Sequence, residues 1–250
     1  MELYDNIASV LNKKNINLIV GNMYDFMAIW KEWYRGSVND FHYYKAHLAD
    51  GTTCDCERLT MNMPKKVCED ISKLLWTEKT QINLSSSKAT KRLWDILDSK
   101  ENSFTVNIPQ FLEKALAIGT GALIEYKNDN KTIIDYLEGD LIIPYSVTNS
   151  YIKGLITISR FSDKSGKNEV FYTHITYHEY NEGIYTKYNE LYKSKNATEL
   201  GKEIDFKFMF PDVENPYIVK TDTPHFQVFK PNLANNLDTS SPLRNKRICK

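Results

Sequence analysis

Residues 107–126 read NIPQFLEKALAIGTGALIEY, and with the residues that follow to Leu155 they predict a helix running straight into antiparallel strands. Asn107 is a residue type that caps free helical amides, and a proline two positions on, Pro109, loses no helical hydrogen bond in a first turn. Phe111, Leu112, Ala115, Leu116 and Ile118 recur at helical intervals, so one face of the helix is apolar. Gly119-Thr120-Gly121 stops it, because glycine tolerates the left-handed backbone of a C-cap. Ala122 to Tyr126 is then a strand, Asn128-Asp129-Asn130 a turn, and Thr132 to Leu137 the returning strand. Leu141 to Tyr145 and Ile152 to Phe161 are expected to extend the same sheet.

Working outward toward the C-terminus, the apolar period is two. Ile156 and Ile158 share one strand face, and Thr157 and Ser159 share the other. A turn around Gly166 leads to a strand over Val170 to Tyr180, with Phe171, Ile175 and Tyr177 on one face. Asn181-Glu182-Gly183 is a tight hairpin signal, and Ile184 to Tyr192 returns, making a meander. Lys193 to Lys202 is polar and reads as a loop, and Phe226 to Phe229 is a short last strand.

Toward the N-terminus the period is helical. Leu3 to Leu11 is a short amphipathic helix with Ile7 and Val10 near one face. Asn22 to Arg35 is a second helix, carrying Tyr24, Met27, Trp30 and Trp33 and ended by Gly36. Its aromatics, with Phe41 to Tyr44, require a partner surface and predict a helical layer folded on the main core. Asn62 caps a third helix with Pro64 in its first turn, and Met63, Val67, Ile71 and Leu74 fall on one face that Leu75 and Trp76 widen. A fourth helix, Ala89 to Leu97, follows Ser85-Ser86-Ser87. The polar connection Asp98 to Ser103 marks a division between a helical N-terminal region, 1–103, and a mixed helix and antiparallel-sheet core, 104–243.

Composition narrows the function classes. The chain has 250 residues, 42% hydrophobic and 26% charged, ordinary for a folded domain with a sizeable core. Lys and Arg number 32, as do Asp and Glu, which argues against a protein that coats nucleic acid by broad phosphate neutralisation. No basic-plus-apolar leader opens the chain and no apolar run approaches the ~20 residues of a membrane span, so a cytoplasmic site of synthesis and no membrane partner are expected.

Candidate chemistry is sparse. Gly119-Thr120-Gly121 follows a helix and precedes a strand, the reverse of the order that aims amides at phosphate. His174 and His178 are four apart on a strand, ~13 Å at ~3.3 Å per residue, too far to share an ion. His42 and His47, five apart, do not align on a helix. Cys54 and Cys56, with His47 and Cys68, could complete a Cys₃His zinc set, but paired cysteine ligands usually have about two to four residues between them and here there is one. Free thiols at a turn are the expectation. Asp135, Glu138 and Asp140 read as solvated turn carboxylates. No catalytic residue, metal ligand or cofactor site is assigned.

Three stretches together resemble the portal proteins of tailed phages, of the type found in siphophages of Gram-positive hosts. They are Trp30 to Tyr44 (Trp-x-x-Trp-Tyr-x-Gly, then Phe-His-x-Tyr), Leu59 to Ile82 around Met63-Pro64-Lys65-Lys66 and Leu74-Leu75-Trp76, and Ala115 to Leu155 with Gly-Thr-Gly-Ala and Ile143-Pro144. His225 to Pro231 and Ser241-Pro242-Leu243 agree in order. The resemblance implies a non-enzymatic structural subunit of a dodecameric ring at the capsid vertex of the virion. It acts in head assembly, double-stranded DNA packaging and head–tail connection, with terminase, scaffold or capsid protein and connector proteins as partners and DNA met only through the tunnel of a complete ring. Family members continue past the Ser-Pro-Leu with helices that line the tunnel, whereas here Arg244 to Lys250 form a basic tail expected to lie outside the fold. The expectation is therefore a truncated, N-terminal wing portion, monomeric or weakly associating by itself. The predicted fold class is α+β, a helical N-terminal layer packed on an antiparallel sheet with one central helix. The rival readings are an enzyme of mobile-element DNA metabolism, which needs a metal or nucleotide site, and a stand-alone module that interferes with a full-length portal.

Overall fold

The computed structural model describes residues 2–16, 23–128, 131–148, 151–165 and 168–230. The chain begins with helix α1 (Glu2–Lys13), then α2 (Met23–Arg35) and a single turn, α3 (Asn39–His42). Strands β1 (Tyr43–His47) and β2 (Thr53–Glu57) form a separate antiparallel hairpin. Helices α4 (Met63–Leu75), α5 (Ser87–Leu97) and α6 (Phe104–Ile118) follow. Then come β3 (Gly121–Asn128), β4 (Lys131–Glu138), β5 (Ile142–Thr148), β6 (Tyr151–Ser165), β7 (Asn168–Asn181) and β8 (Ile184–Ser194). The short strands β9 (Lys202–Ile204), β10 (Tyr217–Lys220) and β11 (Phe226–Phe229) end the described chain. The fold is α+β, as the sequence predicts. The basic tail, the Ser241-Pro242-Leu243 motif and the tips of the turns at Asp129-Asn130 and Gly166 lie outside the described residues.

The strands do not make one extended sheet. β11, β3 and β4 form a small sheet in that order, and β5 onward forms a large one, ordered β10-β8-β7-β6-β5 with β9 beside β8. The split occurs at the 3₁₀ turn Gly139–Leu141. There a Cβ on Gly139 would lie 2.8 Å from the Thr120 carbonyl oxygen, so a glycine lets the chain pass close under the α6–β3 corner on its way from one sheet to the other. The meander β6–β7–β8 is present, and its second hairpin turns on Glu182 (φ +49°) and Gly183 (φ +81°), the two positive values that a type I′ turn needs.

Side-chain alternation stacks the layers. On β3, Leu123 points to the helical core of Phe104, Ile108, Phe111 and Leu112, while Ala122 and Ile124 point to Leu155 and Tyr185 of the large sheet. The small sheet is thus covered on both faces, by α6 and by the large sheet. The opposite face of the large sheet carries Ile143, Ile156, Ile158, Ile175 and Tyr177, and α1 lies across it with Ile7 and Leu11 fully buried. Lys14, just past α1, pairs with the buried carboxylate of Glu190, which also accepts hydrogen bonds from Tyr177 (2.9 Å) and Tyr192 (3.0 Å).

The start of α6 departs from expectation. The helix begins at Phe104, not at Asn107, and Pro109 sits inside it. Ser103 occupies the cap position in a left-handed conformation without capping through its side chain. Asp98 takes that role from the end of α5, accepting from the Thr105 amide (3.1 Å) and hydroxyl (2.7 Å). A carboxylate at a helix N-terminus also complements the dipole. Asn107 instead donates to the carbonyl of Asn102 (2.8 Å). The C-cap is as predicted, Gly119 at φ +85°.

Asn102 is the least exposed polar residue of the helical side, at 0%. Its amide oxygen accepts from Ile134 N (2.8 Å), and its amide nitrogen donates to Thr132 O (2.9 Å) and Ile96 O (2.8 Å). The side chain therefore supplies β4 with the donor and acceptor of a neighbouring strand. Asn215 does the same for β8, exchanging 2.8 Å hydrogen bonds with both N and O of Asn189.

The histidines of β7 lie on the face that meets the small sheet and the 3₁₀ turn Phe206–Phe208. His174 is hydrogen-bonded to Asn189 (3.0 Å) and packed against Phe206 and Phe210. His178 contacts the Tyr185 hydroxyl (2.6 Å) and the Thr157 hydroxyl (3.2 Å) and packs near Phe226. Burial lowers the pKa of both, that of His178 to about 3 from 6.5, with Lys187 acting in the same direction.

Two outcomes follow for stability. Asn102→Ala leaves the Ile134 amide, Thr132 carbonyl and Ile96 carbonyl without these partners, and should lower the unfolding free energy by about 2–4 kcal/mol, read by urea denaturation. For His178 the folded pKa is depressed, so its contribution is complete above about pH 6.5 and is lost as pH falls toward 3, when only the unfolded chain takes up a proton. Between pH 7 and 5 the His178→Gln protein should lose about 2 kcal/mol less than wild type; equal slopes would show that the buried imidazole does not resist protonation.

Candidate functional site

α4 is where sequence and structure diverge most usefully. Its apolar face, Met63, Val67, Ile71 and Leu74, is present as predicted, but it points outward. The side turned to α6 carries Ser72, which is buried and donates to Pro109 O (2.6 Å), and the half-buried Cys68. Beside them Tyr34 donates to Glu113 (2.5 Å). Burial, with Glu113 nearby, pushes the Cys68 thiol up. The outward face is continuous with the segment before it, where Leu59 is 97% and Met61 85% exposed, and it ends at Leu74, 81% exposed. Lys66–Asp70 (2.9 Å) and Lys73–Glu69 (2.5 Å) pair along the flank, one turn apart, so the charges beside the ridge neutralise each other.

The ridge is held rigidly. Pro64 lies in the first turn of α4, as predicted, but Asn62 caps only through its backbone carbonyl, which accepts from Lys66 N (2.9 Å). Gly36, at φ +69°, ends α2, and a Cβ there would lie 2.1 Å from Asn62 Oδ1 and 2.8 Å from Thr60 Cγ2. That close approach fixes residues 60–62 against the end of α2. On the inner side of α2, Met23 and Met27 are buried against Ile118, in keeping with the predicted helical layer, while Trp33 remains partly exposed against Phe41 (5.1 Å).

The hairpin β1–β2, which the helical expectation for residues 1–103 does not include, precedes this surface in the chain. Its signals were Asp50-Gly51 at the tip and alternation through Thr53-Cys54-Asp55-Cys56-Glu57. It pairs with no other strand among the described residues and exposes Phe41, Tyr43, Tyr44 and Leu48 at its base, face and tip. The Arg58 guanidinium lies 4.9 Å from the Phe41 ring and 4.8 Å from that of Tyr44, and Arg58 N donates to the carbonyl of the buried His42 (2.7 Å).

The other candidates are placed as follows. Cys54 and Cys56 lie on strand β2 rather than at a turn, their sulfurs 3.5 Å apart. His47 stands opposite Thr53 on the same hairpin and Cys68 is on α4. No cluster of three or more ligand-type side chains occurs among the described residues. In Gly119-Thr120-Gly121, Thr120 is buried and donates to Phe229 O (2.9 Å), and a Cβ on Gly121 would meet the Phe111 ring at 2.7 Å, so the motif packs a corner. The carboxylates are not simply solvated. Lys31 bridges Glu138 (2.7 Å) and Asp140 (2.5 Å), Lys114 reaches Glu138 (2.9 Å), and all but Lys114 are largely covered. Burial works against the charge on Glu138, but Lys31 and Lys114 outweigh it and hold the carboxyl below its ordinary value. Burial raises that of Asp135, against opposing effects of Tyr126 and Lys187. Among the described residues no helix is long and apolar enough to cross a membrane.

Compared with known proteins, residues 23–215 match a family model described as phage portal protein, SPP1 Gp6-like. No curated protein matches the chain.

The outward turn of α4 has a direct test. Leu74→Ala should change the unfolding free energy by less than about 0.5 kcal/mol, as exposed substitutions do. Leu97→Ala, in the buried helical core, should cost about 2–5 kcal/mol. A similar cost at both positions, by chemical denaturation, would place Leu74 inside.

Proposed function

This chain belongs to the SPP1 Gp6-like phage portal protein family, and we propose that it serves as a subunit of the portal ring at one capsid vertex, acting in head assembly, DNA packaging and head–tail connection. The family is structural and non-enzymatic, and membership carries a structural role at the phage portal. The observation that supports the finer reading is the apolar ridge of α4 with Leu59 and Met61. Monomeric proteins rarely leave so continuous an apolar surface to water, and its usual meaning is a protein partner. A subunit of a closed ring needs such a surface on a rigid element, because ordering a flexible one would consume part of the binding energy.

Within this reading, residues 1–103 form the helical region that carries the contact surface and 104–243 the mixed core that supports it. Other copies of the chain are the first partners; terminase, scaffold or capsid protein and connector proteins follow from the place of the ring. Double-stranded DNA passes only through the tunnel of a complete ring, in keeping with a formal net charge of zero on this chain. The chain is made in the host cytoplasm and ends in the virion.

The test is location. In phage particles released by the strain that carries the gene, gold-conjugated antibody against the chain should label opened heads at one vertex. Particles without label, or with label spread over all vertices, overturn the reading.

A further inference from the structure

We propose that Cys54 and Cys56 form a bidentate thiolate site for a soft, three-coordinate centre of the trivalent arsenic class. The two lie on β2 two positions apart, so strand alternation sends both side chains to one face of the hairpin. Their sulfurs are 3.5 Å apart, and the Cys56 thiol also leans toward the Cys54 carbonyl (3.9 Å). Both thiols are partly exposed. Across the hairpin Cys54 faces Ala46, whose methyl is too short to crowd the sulfurs, and Cys56 faces Tyr44. Thr53, Asp55 and Glu57 alternate to the other face, so the oxygen ligands that would favour a hard cation are turned away from the pair.

The separation selects the occupant. An atom bound ~2.3 Å from each sulfur, the length of a zinc–thiolate bond, spans 3.5 Å with a bond angle of ~100°. That is the angle of a pyramidal or trigonal centre with its third position free, not of a linear one. A structural zinc ion is held by four protein ligands, and no cluster of even three ligand-type side chains occurs among the described residues. A disulfide fits less well. Residues i and i+2 of a strand have Cα atoms ~6.6–6.8 Å apart, at the upper limit of the ~4.4–6.8 Å that a disulfide spans, so closing one would pinch β2 out of register with β1. The hydrogen bond to Cys56 also pushes the Cys54 thiol up, which keeps it protonated and slow toward peroxide. Thiolates prefer soft partners, and taking one needs no oxidant. With an aryl arsenic(III) oxide two S–As bonds form, the oxygen leaves as water with the two thiol protons, and the arsenic stays trivalent.

The test treats the reduced full chain with phenylarsine oxide in a large excess of glutathione. A single thiol gives its arsenical up to glutathione, whereas a chelating pair keeps it, because the second bond forms within the molecule. Intact mass under non-denaturing conditions should show a single phenylarsenic group on each chain. Cys54→Ser and Cys56→Ser, both at partly exposed positions, should each reduce retention at least about tenfold with the melting temperature unchanged, and Cys68→Ser and Cys249→Ser should keep it. Ethanedithiol should strip the adduct at least about tenfold more readily from the chain unfolded in urea than from the folded chain, since folding brings the two sulfurs together in advance. No adduct on the folded wild type, an adduct that survives Cys54→Ser, one that is lost with Cys68→Ser or Cys249→Ser, or equal retention by folded and unfolded chain each overturns the proposal. The result is independent of the portal reading, which vertex labelling tests separately.

Discussion

The fold hinges on a side-chain amide. Asn102 is buried where three elements meet: the end of α5, the start of α6 and the outer edge of β4. An unpaired strand edge under a helix would leave peptide groups without water and without partners, each at a cost of about 1–3 kcal/mol. An amide side chain has the donor and acceptor of a peptide bond, so Asn102 serves as one residue of a missing strand. It also accepts through its own carbonyl from Asn107, which orients the first turn of α6. Helical layer and small sheet are thereby held by directional bonds as well as by the apolar contact of Phe104, Phe111 and Leu123.

The large sheet solves a related problem. Both of its faces are covered, yet its middle strands carry His174, Thr176, His178, Asn189 and Glu190. These groups satisfy one another in two sets. On one face Thr176 donates to Asn189 (3.0 Å), His174 approaches the same oxygen, and His178 joins Thr157 and Tyr185. On the other, Glu190 collects two tyrosine hydroxyls and Lys14. Burying polar groups in complete networks favours one packing over its neighbours, since a shifted register would strand several donors at once. Burial within these networks favours the neutral form of both histidines, with Lys187 acting the same way, and outweighs the Asn189 oxygen, which favours a second proton on His174.

Much of this was legible in the chain. Local signals with one structural solution translated directly: Gly119 as the end of α6, Asn181-Glu182-Gly183 as a hairpin, Ile7 and Val10 near one face of α1, which Leu11 completes. What was not legible depends on groups distant in sequence. The cap of α6 comes from Asp98 rather than Asn107, and a residue seven positions away leaves no local pattern. The division into two sheets turns on a close approach at Gly139 that period-two alternation does not encode. The placing of Cys54 and Cys56 on a strand rather than at a turn depends on the β1–β2 pairing, which one cysteine-bearing segment does not reveal by itself. The direction of α4 was unreadable for a deeper reason. Helical periodicity reports that an apolar face exists, and a face made for a core has the same periodicity as one made for a neighbour. Only Ser72 and Cys68 on the opposite side, which fit a tight helix contact at Pro109, hinted at which way it turns.

The outward α4 also bears on the life of the subunit before assembly. Leu59, Met61 and Leu74 are as sticky toward a wrong surface as toward the right one. Among the described residues nothing covers this preformed ridge, so the folding of these elements does not hide it. A newly made chain is therefore in a race between its proper neighbours and indiscriminate association, and the outcome depends on supply. Synthesis in step with the components that cover the ridge favours ordered growth, and overproduction in their absence favours precipitation. If other subunits cover this ridge, as we propose, the same surface also sets how long the chain can remain alone.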